Sequence, residues 1–466
     1  MNESVNSKKV KIGVFGGARG SVMVHQLLNH PDAELVAVCD KYEPLLENCQ
    51  RAAQEAGTHI DVYTSFGEFI KHDMDAVVLA NYAHEHAIYA VKCLEAGKHV
   101  MSEVLPAETP AQLVKLIETV ERTGLIYSYA ENYCYMKAPF EMWKRYRAGD
   151  IGEIQYAEGE YIHDCTSIWP DITYGERDHW RNRLFATFYC THSCGPLITI
   201  SGLRAVKVVG FETNLNIEEK QLRVGIPERA GIEMITLENG AIVKSIHGGL
   251  KMEPGSVNYQ VYGTKGMMQS HRYGSAEFNI YREGNKVCQG TWDNYDPVND
   301  VGSNIAVRSQ GHGGSDFYTT HCFIEKILGR PDGDWCIDVY TAANMGLCGI
   351  MAWRSVLAGN VPMDIPDFRS LPARDKFRYD NACCTPDVAG DQLLPKTSHG
   401  EVYIPDETFE NVRMQWKREP NPISDLFKKR GQYKADSPAL FSRRGNGHQR
   451  FRRLAPEVRH REFERP

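Results

Sequence analysis

The sequence predicts an α/β protein, with a doubly wound parallel sheet followed by a second α/β domain built on a large, open, mostly antiparallel sheet. Three observations carry this. Apolar runs alternate with helically spaced segments from residue 9 to about residue 130. A glycine-rich turn follows the first of those runs. After Asn132 the texture changes to two-residue alternation joined by Gly and Asn turns.

In chain order, KVKIGVFGGARG at 9–20 reads as a buried strand entering the glycine turn. VMVHQLLNH has helical spacing, and ELVAVCD at 34–40 is a second apolar strand ending in a carboxylate, which closes a βαβ unit. FGEFIKHD, MDAVVLAN, HAIYAVKCLEAG, KHVMSE and TPAQLVKLIETVERTG continue the alternation. The second domain is predicted from GEIQYAEGEYIHD, AVKVVGFETNL, GIEMITLENGAIVKSIHGG, NYQVYGTKGMMQS and AEFNIYREG. Helices are expected at FEMWKRYRAG and SDFYTTHCFIEKILG. A long buried helix near 335–359 is expected to pack back at the domain junction. The resulting division is 1–130, 131–375, and a polar to basic extension over 376–466. Little apolar surface in the strongly basic end, SRRGNGHQRFRRLAPEVRHREFERP, predicts a flexible or oligomer-docked tail.

A chain of 466 residues, 42% hydrophobic and 24% charged, can bury a large core in two or three domains. Its formal net charge of −7 argues against polyanion capture, so no nucleic acid partner is expected and small-molecule chemistry is favoured. Thirteen cysteines without a CxxC pair point to reduced thiols. The polar start MNESVNSKK shows no signal peptide or membrane span, so a cytoplasmic protein with no membrane partner is expected.

Gly16, Gly17 and Gly20 lie between the first strand and first helix, where missing side chains let backbone amides approach a pyrophosphate. A strict GxGxxG cannot be placed, and an ordinary tight turn is the competing reading. Asp40 closes the second strand twenty residues after Gly20, where a carboxylate accepts ribose hydroxyls and repels a 2′-phosphate. Together they favour NAD over NADP as cofactor, with Arg19 in the turn and Asn81 at the end of MDAVVLAN as further contacts.

The segment VVLANYAHEHAIYAVKCLEAGKHVMSE resembles the family of glucose-fructose oxidoreductase, inositol dehydrogenase and MocA-type dehydrogenases. His86, AGKHV at 96–100 and Glu103 match that family's run as they stand. The resemblance spans about residues 9–375. It implies a Rossmann domain, cofactor-side positions for His86 and Glu103, and a second domain whose open sheet floors the substrate site and joins a homo-oligomer. One departure stands out: the lysine of the family's E-K-P, usual partner of the reacting hydroxyl, is replaced, since Val104, Leu105 and Pro106 follow Glu103. Another residue must then take the hydroxyl proton.

Four ordered pieces, ENYCY at 131–135, GEYIHD at 159–164, HWRNRLFATFYCTHSCGPL from 179 and GHGGSDF at 311–317, are similar to the family's NAD-dependent glycosidase branch of α-N-acetylgalactosaminidase type. The resemblance places Glu131, Tyr161 and His192 on catalytic positions and Arg181, Tyr189 and His312 on substrate contacts. Cys190, Ser193 and Cys194 depart from the branch's pattern. The implied chemistry is transient oxidation of a sugar C3 hydroxyl, elimination of the aglycone, addition of water and return of the hydride. His192 would take the hydroxyl proton, and Tyr161 would remove the C2 proton if its pKa is lowered locally. Glu131 would assist the departing or attacking oxygen, and Arg181 would hold the substrate.

Plainer readings stand beside these. His192 is a zinc ligand with Cys190 and Cys194 on a strand, or a satisfied core histidine; no four-ligand set is completed, and no metal is expected. Tyr161 and Tyr189 are core aromatics, Glu131 pairs with a cation, Arg181 belongs to a solvated loop, and Asp316 is a first-turn carboxylate favoured by the helix dipole. The rival functions are an NAD-dependent sugar or cyclitol dehydrogenase that releases NADH and a catalytically silent NAD-binding regulator.

Overall fold

The computed structural model describes residues 9–213, 229–250, 254–272, 278–284, 290–302, 305, 312–400 and 403–418. The basic end of the chain lies outside the described residues. The first sheet is built from β1 (Val10–Phe15), β2 (Ala33–Cys39), β3 (Asp61–Tyr63), β4 (Ala76–Leu79), β5 (His99–Ser102) and β6 (Tyr127–Tyr129). They pair in parallel in the order β3-β2-β1-β4-β5-β6. Strands covered by helices on both faces read as unbroken apolar runs, which is why β4, AVVL, is buried throughout and shows no alternation. The order reverses between β1 and β4, and the crevice at such a reversal, beyond the strands' carboxyl ends, is where this architecture binds ligands. Gly16, Asp40 and Asn81 follow β1, β2 and β4 by one or two residues and so converge there.

The second sheet comprises β7 (Ile154–Ile162), β8 (Ala205–Glu212), β9 (Ala230–Leu237), β10 (Ile242–Gly248), β11 (Ser256–Gly263), β12 (Gly266–Ser270), β13 (Phe278–Arg282), β14 (Thr291–Tyr295) and β15 (Met363–Asp364). Among the described residues the order is β14-β13-β12-β11-β7-β10-β9-β8-β15. All neighbours are antiparallel except β10 with β7.

Helix Val339–Leu357 is buried along most of its length and packs against β8, helix Pro110–Thr123 and helix Thr191–Ser201. Just before it, the Ile337 carbonyl accepts the amide of Tyr129 in the first sheet. Residues past 375 return to the body: Arg378 pairs with Glu118 at 2.8 Å and Asp380 with Arg354 at 2.6 Å. Cys383 and Cys384 are buried, and the Trp353 indole donates to the Pro395 carbonyl at 3.0 Å.

The segment considered as a strand around His192 is a helix, Thr191–Ser201. All eleven residues are buried, so no amphipathic period marks it and an apolar run of that length is ambiguous by pattern. Pro196 sits inside the helix and brings no N–H to the carbonyl four residues back. That carbonyl belongs to His192, and the hydroxyl of Tyr259 on β11 donates to it at 2.5 Å. The proline thus ties the helix to the sheet beneath it.

Candidate functional site

At the crevice the glycines are required by backbone contact. Gly16 has φ +103°, and a Cβ there would lie 2.4 Å from the Ala80 carbonyl carbon; one on Gly20 would lie 2.1 Å from the Gly16 oxygen. The Asp40 carboxylate accepts the Gly17 amide at 2.6 Å and the Tyr42 amide at 2.9 Å, and burial raises its pKa. Asn81 donates to Glu85 at 3.1 Å, while its own side-chain oxygen is buried without a partner, as are the Tyr82 hydroxyl and His84 Nδ1. A bare turn, a carboxylate beyond β2 and orphaned polar atoms beside them fit a dinucleotide: Gly16, Gly17 and Gly20 would admit its pyrophosphate, Asp40 its ribose.

His86 sits one layer back. It is 1% exposed, with Nδ1 3.0 Å from the Leu105 carbonyl and Nε2 3.3 Å from that of Asn81. Burial pushes it down to about 4, so the ring is neutral and its single N–H can donate to one of these two carbonyls, the Leu105 carbonyl being the nearer.

Arg19 leaves the glycine turn to meet two buried carboxylates, Glu103 at 2.6 Å and Asp316 at 2.7 Å. Asp316 also accepts from Asn132 at 2.9 Å and lies 2.9 Å from His312 Nδ1. Arg19 and His312 hold the Asp316 carboxyl well below the usual range against the opposing effect of burial, whereas burial raises Glu103. Asp316 does stand in the first turn of helix Ser315–Ile327, yet its partners, not the helix dipole, account for its burial. It joins the two domains, whereas sequence reasoning read it only as a first-turn carboxylate and did not foresee its pairing with Arg19.

Next to this network lies the cluster around His192. Glu131, two residues past β6, is fully buried; its Oε1 accepts the Tyr133 amide at 3.3 Å and lies 2.7 Å from His192 Nδ1. A carboxylate beside Nδ1 fixes the proton there and leaves Nε2 as the free acceptor. The imidazole is ringed by tyrosines, with Tyr133 at 4.3 Å, Tyr161 at 4.8 Å and Tyr189 at 5.6 Å between ring centroids. Tyr161 projects from β7. Burial pushes its phenol well above the ordinary value of 10, the reverse of the local lowering expected from sequence. The Arg181 guanidinium lies over the Trp180 ring at 4.4 Å and 5.9 Å from that of Tyr189, and His312 stands 6.2 Å from the Tyr133 ring.

The structure therefore brings Glu131, Tyr161, His192, Tyr189 and Arg181 together and links them through His312 to Arg19 and Glu103. Tyr133 and Asn132 were missed, although ENYCY contains both; a motif marks a segment but not which of its side chains turn inward. The zinc reading fails geometrically: on a helix Cys190 and Cys194 share one face, four residues apart, and His192 lies on the opposite side. Among the described residues, His321, Glu325 and Asp332 do place ligand atoms within 4.8 Å of one another. Their partners are internal. The Asp32 amide donates to His30 Nδ1 at 3.2 Å, which leaves the proton on His30 Nε2, 3.0 Å from His321 Nδ1; His321 Nε2 then donates to Asp332 at 3.0 Å.

Comparison with known proteins agrees with this layout. Residues 10–131 match the oxidoreductase family model with an NAD-binding Rossmann fold, and residues 231–372 match the C-terminal domain of glycosyl hydrolase 109. A glycosyl hydrolase family 109 protein of Saccharopolyspora erythraea is 26% identical over 390 residues, covering 77% of this chain and 83% of its own. An α-N-acetylgalactosaminidase of Bacteroides fragilis is 26% identical over 391 residues, covering 77% and 92%. The fold is shared with levoglucosan dehydrogenase in complex with NADH and L-sorbose (TM-score 0.62, 17% identity, 77% of this chain and 100% of that one). It is also shared with scyllo-inositol dehydrogenase of Lactobacillus casei with bound NAD(H) and scyllo-inositol (TM-score 0.60, 17% identity, 77% and 99%). Residues 10–131 thus form an NAD-binding Rossmann domain of the oxidoreductase family of glucose-fructose oxidoreductase, inositol dehydrogenase and MocA, and residues 231–372 a glycosyl hydrolase 109 C-terminal domain.

Proposed function

We propose that this enzyme cleaves glycosides by a redox-neutral route, acting on a small sugar substrate. The observation that carries it is the buried Glu131–His192 pair, 2.7 Å apart and ringed by Tyr133, Tyr161 and Tyr189, in a chain whose Val104 cannot take the proton a lysine there would take. Bound NAD supplies a hydride acceptor during sugar oxidation and a hydride donor when the ketone is reduced again.

His192 Nε2 accepts the C3 hydroxyl proton, and the Glu131 carboxylate steadies the resulting imidazolium without itself taking the proton. With C3 as a ketone the C2 proton is acidic. Tyr161, kept as a phenol by burial, donates its proton to the departing aglycone oxygen and accepts the C2 proton in exchange, so it ends the elimination as it began. Addition of water across C1 and C2 reverses this pair of transfers. The C3 hydroxyl then recovers its proton from His192, and the net reaction is hydrolysis. Arg181, Tyr189 and His312 hold the sugar. The support is the cluster's geometry together with the relatives' activity; assembly through the second sheet and a cytoplasmic setting belong to the same proposal.

The test is release of p-nitrophenol from a panel of α- and β-glycosides, followed together with the NADH absorbance band, with and without added NAD. Leaving-group release without net NADH is expected. Net NADH from free sugars without aglycone release would instead establish a dehydrogenase, and NAD binding with no turnover on any sugar a regulator.

A further inference from the structure

Helix Asp406–Arg418 lies outside both matched regions, 10–131 and 231–372, yet it docks close to the cofactor crevice. Its seat is the stretch around Tyr174–Arg177 in the second domain. Arg177 donates to the Ile404 carbonyl and pairs with Asp406, both at 2.9 Å, and its guanidinium lies over the Phe409 ring at 5.0 Å. Gly175, at φ +65°, lets the helix backbone come close: a Cβ there would lie 2.4 Å from the Arg413 nitrogen.

This docking sets the Trp416 ring 5.2 Å from that of Tyr174 and 6.2 Å from that of Tyr42. Tyr42 belongs to the Rossmann domain and donates its amide to Asp40. Three parts of the chain, distant in sequence, thus meet around Tyr42, whose amide binds the carboxylate that would hold the ribose. On the same side, Tyr82, with an unpartnered buried hydroxyl, stands 4.9 Å from the ring of His179, which is 3% exposed and has an unpartnered Nε2. Buried polar atoms without partners are costly, and a bound polar ligand would relieve them.

We propose that the C-terminal helix completes the NAD site, with Trp416, Tyr174 and Tyr42 forming an aromatic wall against the adenine ring beside Asp40. The proposal rests on the NAD reading and deepens it. Adenine is the flat, weakly polar end of the dinucleotide and stacks on aromatic faces. An enclosed adenosine dissociates slowly, which suits a cycle that regenerates its NAD and hinders one that must exchange NADH at each turnover.

The test uses the full chain, with Trp416→Ala and Trp416→Phe. Calorimetry gives affinities for NAD, ADP-ribose and nicotinamide mononucleotide, and a chase experiment gives the NAD dissociation rate. Trp416→Ala is expected to weaken NAD and ADP-ribose by about tenfold and speed NAD release to match. Nicotinamide mononucleotide is expected to be unaffected, and Trp416→Phe to retain most of the affinity. Unchanged ADP-ribose affinity in Trp416→Ala, or a loss confined to nicotinamide mononucleotide, would overturn the wall. Should the wild type bind neither NAD nor ADP-ribose, the cofactor reading itself fails and the wall with it. If Trp416→Ala lowers the thermal midpoint sharply, Tyr42→Ala, at a side chain 39% exposed, is the second variant and carries the same expectation for ADP-ribose.

Discussion

At the scale of residues, the three proposed proton-handling groups separate by experiment. His192→Ala removes the acceptor of the hydroxyl proton, so a fall in turnover of about 10²–10⁴-fold is expected with NAD affinity retained. Glu131→Gln keeps a hydrogen-bond acceptor at Nδ1 but removes the charge that stabilises the imidazolium. It should lower kcat by about 10²-fold or more while leaving NAD binding intact. Tyr161→Phe is the most informative: oxidation at C3 needs no phenol, so mixing enzyme, NAD and substrate should give a single turnover of bound NADH without release of p-nitrophenol. Normal aglycone release by this variant would remove Tyr161 from the elimination.

At the scale of elements, two joints hold the site. In helix Thr191–Ser201 the carbonyl left open by Pro196 is satisfied by Tyr259, so Tyr259→Phe leaves a buried acceptor unpaired at a cost of about 1–3 kcal/mol. Urea denaturation should show that loss, accompanied by reduced kcat because His192 itself carries the carbonyl. The second joint is Asp316. Replacing it with Asn removes one of the two charges that face the partly buried Arg19 and leaves Glu103 as its partner, a loss of about 1–3 kcal/mol. The expected result is a lower denaturation midpoint together with weaker NAD binding, since Arg19 springs from the glycine turn. An unchanged midpoint would mean that Glu103 alone suffices as partner.

For the whole molecule, pH dependence of stability follows from histidines folded in the neutral state. Burial lowers His30, His84 and His86 to about 4 and His179 to about 3. Their ordinary value is about 6.5. Between these values the unfolded chain binds more protons than the folded one, so stability is complete above the ordinary value and is lost as pH falls through this window. For His86 alone the loss is on the order of 3 kcal/mol. Thermal midpoints should therefore decline steadily from pH 6.5 toward pH 4, and His30, at the contact between the two domains, gives the decline an interdomain component. A flat profile over that range would show that these rings take up protons in the fold as readily as in the unfolded chain.

The order of elements, the glycine turn, Asp40 and the motifs around Glu131, Tyr161 and His192 were legible in the sequence. Each rests on local causes: periodicity that matches burial, a turn that admits no side chain, a run of residues that shares a known pattern. Tertiary structure alone decided which carboxylate meets which cation. Arg19 reaches Asp316 across 297 positions and Glu131 reaches His192 across 61. It likewise set the direction of the Tyr161 shift, because burial depends on neighbours brought from other strands and helices. The helix around His192 and the seat of Trp416 escaped the sequence for the same reason: a fully buried helix has no polar face to mark its period, and an aromatic residue acquires its partners only when the chain folds back over the crevice.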